Sequence, residues 1–291
     1  MTASMSVLDA LVDLLSLERI EDNIYRGQSQ DPGWGTVYGG QVLGQALRAA
    51  LYTVPPERTV HSLHAYFLRP GDVKVPIVYD VDRSRDGSSF TTRRVKAIQH
   101  GHPILNLAAS FHKAEPGLTH AEPMPDVPPP EALPTDQERL VPHAAKLPPF
   151  LREQMFAERA IEVRTVDESD VLLPGPAPGR RAVWMRATHR LVDDPGLHAA
   201  LLAYASDYAF LTTALKPHGV TWITPGMQVA SIDHAVWFHD TFRADEWLLH
   251  VMHSPWSGGA RGLVLGNVYT RDGRLVATTS QEGLMRQRPV G

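Results

Sequence analysis

The stretch ALLAYASDYAFLTTAL, residues 200–215, places one carboxylate, Asp207, inside a run of apolar and small residues that reads as a single helix. Two readings are open for such an acid. Burial raises the pKa of a carboxyl group, which moves it toward the working range of a general base. Alternatively, Asp207 caps backbone N–H groups and its role is structural, since acids are rarely buried without a partner.

Other strings with chemical content carry less. SIDHAVWF offers an Asp233–His234 pair, but adjacent strand residues point to opposite faces and cannot share a proton. Ser231 and Asp233 share a face, so Asp233 reads as a supporting partner or as a satisfied polar residue at a sheet junction. His61 and His64 also differ in parity and lack a third ligand at metal spacing, so no metal is expected. GWGTVYGG follows SQDP rather than a strand, and its third glycine comes one residue late for a dinucleotide loop. Gly39 and Gly40 instead allow a close backbone approach at the start of a helix. Arg93, Arg94 and Lys96 in TTRRVK form either a solvated strand face or a set of charges for phosphates. With no G-x-S-x-G present, a serine-nucleophile elbow is disfavoured.

Positioning these residues falls to two similar halves. Ten of the 24 prolines lie between Pro116 and Pro149, in a stretch with few large apolar residues that reads as a linker. The expected units are therefore 1–114, the linker 115–150, and 151–291. Before the linker come a small-residue helix (40–52) and strands at TVHSLHAYFLRP, VPIVYDV, SFTTRRVKAIQ and PILNLAASFH. After it come the helix with Asp207 and strands at MQVASIDHAVWF, EWLLHVMH, ARGLVLGNVYT and LVATTSQEGLMR. Each half ends in an X-Gly hairpin signal, His100-Gly101 and Asp272-Gly273. Ser62 and Ser231 are 169 residues apart and Gly101 and Gly273 are 172 apart, so one separation runs through the unit. One helix followed by antiparallel strands, repeated, predicts a duplicated α+β fold in which each sheet wraps a helix.

Composition sets the outer limits. The chain has 291 residues, 43% of them hydrophobic, a formal charge of −4 and no cysteine. Disulfides, thiolate metal sites and a cysteine nucleophile are excluded, and a reducing, cytoplasmic setting fits. No basic stripe is available for nucleic acid. The first residues form an amphipathic helix with acids where a signal peptide carries bases, and no run is long and apolar enough to span a bilayer.

VYGGQVLGQALRAALYTVPPERTVHSLHAYFLRPGD, RDGSSFTTRRVKAIQHGHPI, SIDHAVWFH and SQEGLMR together resemble the acyl-CoA thioesterase II family, over nearly the whole chain from about Leu8 to Arg286. The resemblance implies a double hotdog fold, two curled sheets joined edge to edge, and hydrolysis of acyl-CoA to a fatty acid and CoA. It implies a catalytic trio of Asp207, Ser231 and Gln281, with Ser at a position where Thr is more usual. By analogy, a helix N-terminus of the kind that Gly39 and Gly40 open would aim an N–H at the thioester oxygen, with the sequence leaving open which helix does so; the charges of Arg93 and Arg94 are available to meet CoA phosphates. The first half has Tyr38 at the offset of Asp207 and no carboxylate within two residues, so one site per chain is expected. No cofactor is expected, and the partners are acyl-CoA and further copies of the chain. The alternatives are an enoyl-CoA hydratase or dehydratase on the same fold, and a non-catalytic acyl-CoA binding protein.

Overall fold

Helix α1 (Val7–Leu15) starts where Ser6 accepts from the Asp9 N–H, and it buries Leu8, Leu11 and Leu15 along one stripe. The structure is a computed structural model describing residues 5–167 and 175–289. The first half continues through β1 (Glu18–Glu21), β2 (Ile24–Gly27), α2 (Gly39–Leu51), β3 (Arg58–Phe67), β4 (Ile77–Asp86), β5 (Phe90–Gln99) and β6 (His102–Lys113). Short helices α3 (Asp136–Leu140) and α4 (Pro149–Phe156) precede β7 (Ile161–Thr165) and β8 (Arg180–Ala187). Then come α5 (Pro195–Ser206), α6 (Phe210–Leu215), β9 (Met227–Ser231), β10 (Asp233–Phe238), β11 (Leu248–Gly258), β12 (Arg261–Thr270) and β13 (Leu275–Gln287).

All these strands join one sheet in the order β1-β2-β4-β5-β6-β3-β10-β13-β12-β11-β8-β7, with β9 also paired to β13. The halves meet at β3 and β10, where Tyr66 lies opposite Asp233 and His64 opposite Ala235. That is the register a two-fold axis imposes when equivalent residues are 169 apart, because Tyr66 then corresponds to Ala235 and His64 to Asp233. The architecture is the α+β double hotdog. Joining β3 to β10 also pairs an edge that each half alone would expose. Among the described residues, no helix is long and apolar enough to cross a membrane.

Inside the sheet, α2 packs directly on α5. The approach requires Gly40 and Gly44: a Cβ at Gly40 would collide with the Tyr204 carbonyl oxygen, and one at Gly44 would lie 3.1 Å from that of Ala200. The His100–Gly101 turn is a two-residue hairpin with both φ positive (49° and 75°), as its X-Gly signal implies. Gly273 is also left-handed, in a wider loop, and Gly259–Ala260 closes a further hairpin with φ of 55° and 59°.

In the second half the structure departs from the sequence reading at two joints. The single helix expected over 200–215 is two: α5 ends at Ser206, Asp207 is its C-cap, and Ala209 (φ 65°) turns the chain into α6. The strand expected over MQVASIDHAVWF is interrupted at Ile232, whose N–H donates to Glu282 O and whose carbonyl accepts from Phe67 N–H, each at 2.9 Å. The proline-rich stretch, expected as a linker, packs on the second half. Met124, Val127 and Leu133 pack on the cluster of Trp184, Trp247, Leu249 and Tyr269. Trp184 Nε1 donates to Pro128 O at 2.9 Å, and Arg164 donates to the carbonyls of Pro130 and Leu133 at 2.9 and 2.8 Å.

Candidate active site

Three elements converge on Asp207. Its position at the end of α5 frees it from the helical ladder, β9 delivers Ser231 at its last residue, and β13 delivers the fully buried Gln281. Gln281 Nε2 donates to Asp207 Oδ1 at 2.6 Å and to Ser231 Oγ at 2.9 Å, while Ser231 Oγ donates to Asp207 Oδ1 at 3.4 Å. One carboxylate oxygen is thereby tied down from two sides. The other, Oδ2, faces the start of α2, where a Cβ on Gly39 would lie 2.8 Å from it. The first-turn N–H groups of a helix have no acceptor inside the helix, and their dipoles sum to a partial positive charge. Tyr38, the N-cap, supplies no side-chain cap. Gly39 thus holds bare backbone against this carboxylate oxygen.

Aromatic rings wall this point. Tyr38 stacks on Tyr208 (ring centroids 5.2 Å apart) and meets Tyr204 edge-on at 5.1 Å, and its hydroxyl donates to Tyr204 O at 3.1 Å. Burial, assisted by the charge of Asp207, pushes the Tyr38 phenol well above its usual range, so it stays a neutral donor. Sequence reasoning passed over Tyr204 and Tyr208, although they stand four residues apart on either side of Asp207.

The basic pair of β5 does not behave alike. Arg93 is 1% exposed, and its guanidinium donates to Thr53 Oγ1 (2.8 Å), Thr53 O (3.0 Å), Arg85 O (3.1 Å), Thr92 O (3.0 Å) and Asp86 Oδ1 (2.6 Å). A phosphate-binding role for Arg93 is incompatible with this burial; the residue ties the end of α2 to the β4–β5 hairpin. Arg94 follows the strand alternation and is exposed on the other face.

Asp233 and His234 point to opposite faces, as parity requires. Asp233 Oδ1 accepts from the Glu282 N–H at 2.6 Å, and burial is the main cause of its raised pKa. His234 is fully buried, with Nε2 2.9 Å from Ser206 Oγ, and burial lowers its pKa to about 4. His61 lies 2.8 Å from Ser110 Oγ and His64 stands edge-on to Trp237. Among the described residues no group of three His, Asp or Glu side chains is placed to hold a metal ion.

Residues 30–112 match the family model for the acyl-CoA thioesterase N-terminal domain, and residues 150–284 match that for acyl-CoA thioesterase. The chain is 43% identical to acyl-CoA thioesterase 2 of Haemophilus influenzae, over 96% of this chain and 98% of that one. It belongs to the acyl-CoA thioesterase II family. As a member, the enzyme is a thioester hydrolase. It is also 42% identical to human acyl-coenzyme A thioesterase 8, over 95% of this chain and 88% of that protein. The crystal structure of the acyl-CoA thioesterase II TesB2 from Mycobacterium marinum superposes with a TM-score of 0.79 at 43% identity, over 97% of this chain and 98% of that one. The dehydratase domain of RzxB from Pseudomonas fluorescens, at 12% identity and a TM-score of 0.51, shares the fold alone.

Proposed function

We propose that this thioesterase hydrolyses fatty acyl-CoA by direct attack of a water held by Asp207, Ser231 and Gln281. The observation that carries the reading is the meeting of these three side chains, from three separate elements, within 3.4 Å of one another. Gln281 and Ser231 fix Asp207 Oδ1 and orient the water, leaving Oδ2 to take its proton as the water oxygen bonds to the thioester carbon. Negative charge then develops on the carbonyl oxygen, and the amides of Gly39 and Gly40 at the α2 N-terminus are the donors suited to stabilise it. Collapse breaks the C–S bond, and the proton on Asp207 passes to the leaving thiolate. No acyl-enzyme forms.

A hydratase would need a histidine free to exchange protons beside the acid. His234 and His250, both fully buried, are each engaged through Nε2 with a core hydroxyl, which favours hydrolysis. The same reading keeps the catalytic groups in residues 151–291, with residues 1–114 supplying the α2 N-terminus and the sheet partner. It assigns the protein to the cytoplasm as a self-associating enzyme. Incubation with an acyl-CoA and a thiol reagent tests the reaction. One free thiol per fatty acid released is expected; hydration or simple binding gives none and would refute it.

A further inference from the structure

His234 lies outside the chemistry proposed above, yet it is one of the most enclosed polar groups in the molecule. It is 0% exposed, on β10 between β3 and β13, with the Phe210 ring edge-on at 5.4 Å. The only hydrogen bond of its imidazole among the described residues joins Nε2 to Ser206 Oγ at 2.9 Å, and Nδ1 has no partner. We assign the tautomer from the cost of each arrangement. Ser206 Oγ has one proton and directs it to Ala203 O at 3.2 Å. With that proton so directed, His234 donates from Nε2–H, which leaves Nδ1 as a bare lone pair rather than an orphaned N–H, the arrangement assigned for this dry site.

Ser206 is the last residue of α5 and immediately precedes Asp207. Three residues of the strand segment containing His234 act on the trio. Ser231 belongs to it, Asp233 on one face holds the Glu282 N–H next to Gln281, and His234 on the other face holds Ser206 next to Asp207. We infer that His234 is a positioning residue, which pins the end of α5 through Ser206 so that Asp207 leaves the helix aimed at Ser231 and Gln281. This rests on the trio reading above.

His250 provides a matched control inside the same core. It is equally buried and also packs on Phe210, its Nε2 lies 2.9 Å from Thr279 Oγ1, and that hydroxyl lies 3.2 Å from Gly266 O. It has the same chemistry but touches neither neighbour of Asp207.

The test is a steady-state series on the full chain with one acyl-CoA, alongside Asp207→Asn. Ser206→Ala and His234→Phe should each lower kcat by about 10-fold or more with KM changed less than about 3-fold, and the double variant should lose no more than either single one. His234→Gln, whose amide can donate from nearly the same place, should recover to within about 3-fold of the parent, and His250→Phe should stay within about the same range. Parental kcat in Ser206→Ala and His234→Phe, with Asp207→Asn inactive, overturns the positioning role alone. Equal losses in His234→Phe and His250→Phe would also overturn it, by showing general loosening of the core. If Asp207→Asn retains parental turnover, the trio reading falls and this inference with it. Should His234→Phe fail to fold, Ser206→Ala, which removes the same bond and one oxygen atom, decides the matter.

Discussion

The two halves of the sheet are related by a two-fold axis at β3 and β10, but they diverge where the chain enters its central helix. In the first half Tyr38 is extended (φ −65°, ψ 134°) and leads straight into the thirteen residues of α2. In the second half the equivalent position is Asp207, which closes α5 before Ala209 redirects the chain into the six residues of α6. One half therefore contributes a helix N-terminus with bare amides, and the other contributes a carboxylate at a helix C-terminus. On the proposed reading, duplication yields one composite site: one copy supplies the helix end that favours negative charge, and the other supplies the carboxylate. A carboxylate at a C-terminus is opposed by the dipole of its own helix, so it needs the α2 N-terminus and the Gln281 amide beside it.

The inner faces differ in the same sense, and this gives the largest expected effect. Ala65 of the first half corresponds to His234 of the second, which also buries His250. Burial lowers these two pKa values from 6.5 to about 4 and about 3. Both imidazoles stay neutral in the fold while the unfolded chain takes up protons. Their contribution is complete above pH 6.5 and is lost as pH falls toward 4 and then 3, a change of several kcal/mol at about 1.4 kcal/mol per unit. The urea midpoint should drop steeply between pH 7 and 4.5, and His250→Phe should flatten that slope. A slope unchanged in the variant would assign the acid sensitivity elsewhere.

Asp207→Asn comes next. It keeps the shape and removes the base, so kcat should fall ~100-fold or more, the scale of general-base contributions. Cooperative unfolding, followed by circular dichroism, should be retained. Near-parental turnover would break the proposed division between the halves.

Ser231→Ala should cost roughly 1.5 to 3 kcal/mol of transition-state stabilisation, as for a hydrogen bond to a charged group. Ser62→Ala, at the equivalent position of the first half, should leave kcat/KM unchanged. Ser231→Thr should match or modestly exceed the parent, because β-branching restricts the hydroxyl rotamer. Equal losses at Ser62 and Ser231 would mean that both halves carry a working site.

The smallest effect concerns the kink. Ala209 holds φ at 65°, a conformation that costs an L-residue roughly 1 to 2 kcal/mol and glycine little. Ala209→Gly should raise or leave unchanged the thermal midpoint, since the relieved strain is offset in part by the greater freedom of glycine in the unfolded chain. A marked loss of stability would show that the Ala209 methyl packs as part of the α6 core.

Much of this molecule was legible in its residues. The hairpin glycines, the alternation of the strands and the recurrent separation near 170 come from local geometry, and strand parity separated the Asp233 and His234 side chains. The family strings singled out Asp207, Ser231 and Gln281. The proline-rich stretch reads as a linker because composition reports what a segment lacks for making its own core. It does not report that Met124, Val127 and Leu133 would be accepted by one next door. Arg93 was misread because a charge run does not reveal that its first arginine points inward to Thr53 and Asp86.

By itself, then, the sequence determined the elements whose signals are local: the periods of the strands, the turn residues, the duplication and the chemical types available to the site. The tertiary structure alone decided where the helix breaks. ALLAYASDYAFLTTAL contains no glycine or proline to stop it, so its summed local preferences favour one continuous helix. The break is imposed from outside by the α2 N-terminus, by Gln281 and Ser231 on Asp207, and by His234 on Ser206. Each of these contacts comes from residues far away in the chain, and a local pattern carries no record of them.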